Sequence, residues 1–338
     1  MTRSFYFIIF SCLFILGFSI YSYRVQADST YEMQSTEYEN HLTRACQSAV
    51  AAQQKRADGT GIYLFDTAEK REQAVEQFFA TLERGFNYVN DSNSAQNLRY
   101  HVPVLCLVDN DGYYLAYNEP YEDANGSLSL VSTISTLNTW GTEGTNGQYY
   151  VRFFLSDYVE VTDNRTGLVK NGPFYSVYKT LGQPEALEIL STREKFENEK
   201  IDIIISTVNE VVEEYINQYN FRVNRISQTG SRTDFDIHYS FELPKVSYED
   251  WCNLLDEPSA LALLQGMQIN NGDRYLNIYA MSGGEMVKNK GYVKNTVNGV
   301  LTYHRMGCPL GPSVSTDYSM TKEECAKQGA FPCEECCP

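Results

Sequence analysis

The chain is short of positive charge, of histidine and of long apolar runs. Lys and Arg number 27 against 43 Asp and Glu, a net charge of -16. Nucleic-acid phosphates are gripped by clustered Lys and Arg, so this balance argues against a nucleic-acid partner. It also disfavours tight docking onto anionic lipid. Beyond Tyr23 no apolar run is long enough to span a bilayer, so the topology is a single N-terminal pass at most. No Gly-rich phosphate loop and no Gly-x-Ser-x-Gly elbow occur, which takes away the usual sequence signs of phosphate-loop and α/β-hydrolase chemistry. No internal repeat is present.

What is there begins with Phe5 to Tyr23, nineteen uncharged residues flanked by Arg3 and Arg24. A bilayer core needs about 20 mostly apolar residues as helix, so the length fits a span. A secretory signal is the alternative, with Val25-Gln26-Ala27 suited to cleavage after Ala27, but signal apolar regions run to only about 7–15 residues. The expectation is a retained single-pass anchor at the cell membrane, with the bulk of the chain from residue 28 extracytoplasmic.

Residues 28–56 carry Met33, Tyr38, Leu42, Cys46, Ala49 and Val50 at three- and four-residue spacing, which predicts a helical stalk running on from the anchor. Asp58-Gly59-Thr60-Gly61 breaks it. Asp66, with Glu69 three residues on, reads as the cap of a helix from Thr67 to about Tyr88, whose face of Val75, Phe78, Phe79, Leu82 and Phe86 reads as core. VPVLCLV from Val102, then DNDG, then GYYLAY read as a β-hairpin. Asp109-Asn110-Asp111-Gly112 also opens like a calcium loop, but the acidic residue at the twelfth position is missing. Residues 126–147 read as an exposed polar loop, Tyr149 to Val161 as a strand, and Leu168 to Val177 as a strand returning beside it. Asn90, Asn125 and Asn164 begin Asn-x-Ser/Thr sequons, a sign of exposed loops.

A second helical region opens at Pro184, and a stripe from Ile201 to Tyr219 predicts a helix packed on this protein's own sheet. Asp236 to Leu243 alternates as a strand does. Ser247 to Gln265 reads as a helix kinked at Pro258. Arg274 to Met286 and Gly291 to His304 read as strands, the second bent back at Asn298-Gly299. The whole is expected to be α+β: an antiparallel-sheet extracytoplasmic domain over residues 62–300, packed with helices, and a small Cys-rich knuckle over residues 302–338.

Five of the nine cysteines lie in that last piece: Cys308, Cys325, Cys333, Cys336 and Cys337. With His304 they spell His-x3-Cys and then Cys-x2-Cys-Cys. Cys-x2-Cys lets two thiolates face one cation from a tight turn, and the His/Cys pair completes a tetrahedral set suited to zinc. So short a piece cannot hold itself by apolar burial and needs metal or disulfides. Both remain open, since an extracytoplasmic setting is oxidising and Cys325 or Cys337 could pair with Cys308 or Cys252.

Tyr303-His304, Cys308, Thr321 to Cys325, Gly329 and Pro332-Cys333-x2-Cys336 resemble the metal-binding module of Ada-type repair proteins and the zinc knuckle appended to bacterial nucleases. The resemblance implies His304, Cys308, Cys333 and Cys336 as zinc ligands. Cys325 and Cys337 depart from the pattern, and no nuclease domain accompanies it. The chain as a whole, through Leu42–Gln54, Gln73–Leu82 and Tyr239–Trp251, is similar to TadE/TadG-like pilus-associated membrane proteins of Gram-positive bacteria. This implies protein partners in a surface apparatus.

For catalysis only His41, His101, His238 and His304 are available, with Cys106 and Cys252 as nucleophiles, and none has neighbours that favour deprotonation. No catalytic residue is assigned. The leading expectation is a structural or accessory component of a pilus, secretion or conjugation apparatus. A ligand-binding or sensing ectodomain, or a secreted hydrolase with a disulfide-stapled tail, stands as the alternative.

Overall fold

The computed structural model describes residues 2–122, 128–228, 257–269, 274–283, 292–297, 300–305, 308–312, 325 and 329–333. The chain is α+β, built on antiparallel sheets with helices packed against them. Helix α1 runs unbroken from Thr2–Ala51. Among the described residues no helix is long and apolar enough to cross a membrane. The side chains of residues 1–13, 16, 17, 20 and 27 lie outside that set. The C-terminal end of α1 departs from a free stalk, because Leu42, Ala45, Cys46, Ala49 and Val50 are buried.

The short hairpin β1 (Arg56–Asp58) and β2 (Gly61–Tyr63) follows. Helix α2 (Ala68–Gly85) is capped by the Thr67 hydroxyl, which accepts the Lys70 N–H. Asp66, the expected cap, instead pairs with Lys70 and Arg56. Helix α3 (Ser92–Tyr100) is capped by Asp91.

A five-stranded antiparallel sheet forms the centre, joining β3 (Val104–Asp109), β4 (Gly112–Glu122), β5 (Leu128–Ile134), β10 (Ser259–Ile269) and β11 (Arg274–Gly283) in the order β11-β10-β3-β4-β5. A second antiparallel sheet holds β6 (Gly141–Glu143), β7 (Tyr149–Phe153), β8 (Tyr158–Asp163) and β9 (Val169–Pro173) in sequential order. Helix α4 (Phe174–Thr180), a 3-10 turn at Glu185–Leu190 and helix α5 (Arg193–Gln228) come next.

The central sheet is covered on both faces. Leu105, Leu107, Ala260, Ala262 and Leu264 point toward the end of α1, α2 and α3. Val104, Cys106, Val108, Leu261 and Leu263 point toward α5, α4 and the four-stranded sheet. Double coverage removes the in/out alternation of a half-buried strand, which is why β3 reads as a continuous apolar run. Ser259–Ile269 is a strand, not the second half of a helix. With apolar residues on both faces, its pattern resembles a buried helix. Residues 247–256 of that expected helix, and the expected strand Asp236 to Leu243, lie outside the described residues.

Residues 126–147 are likewise not one exposed loop. Their described part holds β5, β6 and Trp140, which is buried and stacked on Tyr113 with ring centroids 5.6 Å apart. The expected strand from Tyr149 to Val161 is two, β7 and β8. The expected return strand stops at Pro173, where α4 begins. The Asp109↔Gly112 pairing makes DNDG a two-residue hairpin connection. Gly112 is required there, since a Cβ would stand 2.1 Å from the Asn138 carbonyl oxygen. Helix α5 buries Ile204, Val208, Val212 and Ile216 in this protein's own core, as the stripe predicts.

Candidate metal centre

The C-terminal unit is a hairpin of β12 (Tyr292–Val297) and β13 (Val300–Arg305), with β14 (Phe331–Pro332) added in parallel to β13. Val297 pairs with Val300, so two residues connect the strands, as Asn298-Gly299 predicts; the pair itself lies outside the described residues. Strand alternation puts Thr302 and His304 on the buried side of β13 and leaves Leu301 and Tyr303 half-buried. The Cys333 N–H donates to the Tyr303 carbonyl at 3.2 Å, which sets Cys333 beside His304. Cys308 enters a turn closed by the Gly311 N–H on its carbonyl at 2.9 Å. The Asn295 amide ties that turn to β12 by donating to the Leu310 carbonyl at 3.0 Å.

The result is a buried donor cluster. His304 Nδ1 lies 3.3 Å from Cys308 Sγ, and Cys308 Sγ lies 3.8 Å from Cys333 Sγ. One ligand atom from each of the three lies within 4.8 Å of the others, close enough to hold one metal ion. A disulfide would bring the sulfurs to about 2.05 Å. Two thiolates each about 2.3 Å from a tetrahedral zinc stand about 3.8 Å apart, so the Cys308–Cys333 separation equals that edge. Two sulfurs and an imidazole nitrogen are also the donor set zinc favours over hard cations such as calcium. Among the described residues, buried His304 Nε2 has no hydrogen-bond partner.

Three of the four expected ligands are therefore brought together. The fourth, Cys336, lies outside the described residues, as does Cys337. Cys325 had the status of a departure from the pattern. The structure buries it completely, in the same small cluster as Cys308, Ala330 and Cys333.

Among the described residues, the remaining sequence candidates stand apart from one another and form no reactive site. Cys106 is fully buried on β3, and burial pushes its thiol up to about 12, so it stays protonated. His101 Nδ1 sits 2.8 Å from the Gln265 carbonyl oxygen, and burial lowers its pKa. His41 packs edge-on against Phe86 at 5.3 Å. The Asp109 carboxylate is taken up by the N–H groups of Leu64, Phe65 and Asn110, which leaves it a structural acceptor rather than a calcium ligand. His238 and Cys252 lie outside the described residues.

No family model, curated protein or solved structure matches this chain.

Proposed function

We propose that this chain is a membrane-anchored extracytoplasmic structural component of a pilus, secretion or conjugation apparatus. In this reading residues 5–23 hold it in the bilayer. His304, Cys308, Cys333 and Cys336 bind one structural zinc that keeps the C-terminal knuckle folded. The observation that supports it most is the continuity of α1. One helix carries both the apolar run Phe5 to Tyr23 and the core residues Leu42 to Val50. At 1.5 Å per residue a helix of that length extends about 75 Å, so the domain is held without a flexible joint at a set distance from the bilayer. Such a rigid spacer suits a part whose work is positional. The zinc is structural in this reading because its three described donors, His304, Cys308 and Cys333, are buried, whereas a catalytic ion keeps an open position.

Fractionation tests the anchor. The full chain is expected to stay in the membrane pellet after urea and alkaline carbonate washes and to be released when residues 2–27 are removed. Recovery of the intact chain in the soluble fraction overturns the anchored reading. Metal analysis tests the knuckle, with one zinc per chain expected, lost in Cys333→Ser. A chain with neither metal nor titratable thiols in residues 302–338 overturns it in favour of disulfides.

A further inference from the structure

A cleft of about 640 Å³ opens where the start of α5, the segment Pro173–Lys179 and the turn after Cys308 approach one another. Its volume falls within the roughly 300–1,000 Å³ of small-molecule sites. Its walls combine Phe174, Tyr175 and Pro309 with the Ser191 hydroxyl, Lys179 and Arg193.

The two cations differ in what they have left to offer. The Arg193 guanidinium is paired through both terminal nitrogens with Asp157 and also bonds Glu197 at 3.0 Å. Its charge is neutralised, and it stands 5.8 Å over the Phe174 ring as a fixed wall. Phe174 is itself immobilised by stacking on Phe196, ring centroids 4.4 Å apart. Lys179 has its Nζ 4.5 Å from the centre of the Tyr175 ring, and among the described residues no carboxylate pairs with it. Among the described residues the cleft thus offers one positive charge without a paired carboxylate on an aromatic face, with serine hydroxyls and apolar walls in the same lining.

From this we infer that the cleft binds a small organic monocarboxylate with an aromatic or compact apolar body. The carboxylate sits at Lys179 and the body lies between Tyr175, Phe174 and Pro309. A cationic ligand would meet Lys179 as a like charge. A neutral one would leave that charge unused, and a polyphosphate would find one available cation where it needs several. Pro309 follows Cys308 directly, so the wall it forms is set by the turn at the metal centre; that wall alone rests on the zinc reading.

The test uses the full chain in detergent micelles, titrated with 4-fluorobenzoate and followed by fluorine NMR, with 4-fluorobenzylamine and 4-fluorobenzyl alcohol as controls. Saturable binding of the benzoate is expected, with neither control binding. Affinity should fall at least tenfold in Lys179→Ala and in Tyr175→Ala and be largely kept in Lys179→Arg, with zinc content and thermal midpoint unchanged. Chelating the metal should weaken binding by severalfold. No binding at millimolar benzoate, equal affinity in Lys179→Ala, or equal binding of the alcohol overturns the inference. Equal affinity after chelation overturns the role of the metal-held wall. A chain that carries no zinc as purified and still binds with the Lys179 dependence overturns the metal reading and supports the carboxylate site.

Discussion

The Asp109 carboxylate accepts the Phe65 N–H at 2.8 Å and the Leu64 N–H at 3.0 Å, tying the end of β3 to the segment that leads into α2. Burial pushes this carboxyl up to about 6, against the partial opposition of those N–H groups. The folded state therefore holds the proton more tightly than the unfolded chain. The group's contribution is fully present below about pH 4 and is lost as pH rises through about 6, a loss of roughly 3 kcal/mol. Urea unfolding of the natural chain and of Asp109→Asn across pH 4–8 reads this directly. The difference between the two should move against Asp109 from pH 4 to 6 and then level off. A pH-independent difference would refute it.

Leu42 sits at the far end of the helix that begins with the apolar run and is fully buried against the central sheet's helical layer. Leu42→Ala should cost about 2–5 kcal/mol. Met33 lies on the same helix and is 65% exposed, so Met33→Ala should change stability by no more than about 0.5 kcal/mol. Chemical denaturation of both variants checks whether the core end of α1 begins where the burial places it. Equal, small effects would mean that the helix end is not part of the core.

Glu197 and Lys200 are buried together near the start of α5, 2.8 Å apart, and Lys200 also donates to the Leu155 carbonyl at 3.1 Å. Removing one member leaves a buried charge without its partner. Glu197→Leu is expected to destabilise by about 3–5 kcal/mol, and the double variant Glu197→Leu/Lys200→Met to recover most of that loss. Thermal melts of the natural chain, Glu197→Leu, Lys200→Met and the double variant decide it, since additive losses would show that the pair is not coupled.

At the knuckle, Cys336→Ser should lower zinc affinity by more than tenfold, because the proposed site counts Cys336 as its fourth ligand. Cys325→Ser should keep one zinc per chain and lower only the melting temperature, because Cys325 is buried as packing in the cluster. Competition with a chromophoric chelator measures both. The reverse ranking would make Cys325 the fourth ligand.

How much was legible follows from how many faces each element covers. Helix α2, with Val75, Phe78, Phe79 and Leu82 turned inward and charge outward, declares itself by period alone. Helix α5 does the same through Ile204 to Ile216. Strand β10 does not, because Ala260, Ala262 and Leu264 serve one core and Leu261 and Leu263 the other. Trp140 lay in a Ser-, Thr- and Gly-rich stretch whose composition reads as loop, yet that stretch supplies a buried ring to the core. Composition reports average polarity and is silent on one anchoring residue.

The sequence by itself determined the acidic balance, the apolar start at Phe5, the helical pattern that runs on from it, and the His/Cys spacing at residues 304–336. Each is a local property, written in neighbouring residues and their period. Only the tertiary structure decided that the end of α1 is core rather than stalk and that β10 is a strand. It also decided that His304, Cys308 and Cys333 converge within 4.8 Å and that Lys179 and Pro309 face one cleft. The physical reason is common to all four. Each depends on contacts between segments far apart in the chain, and side-chain periodicity records which face is buried but not what is buried against it.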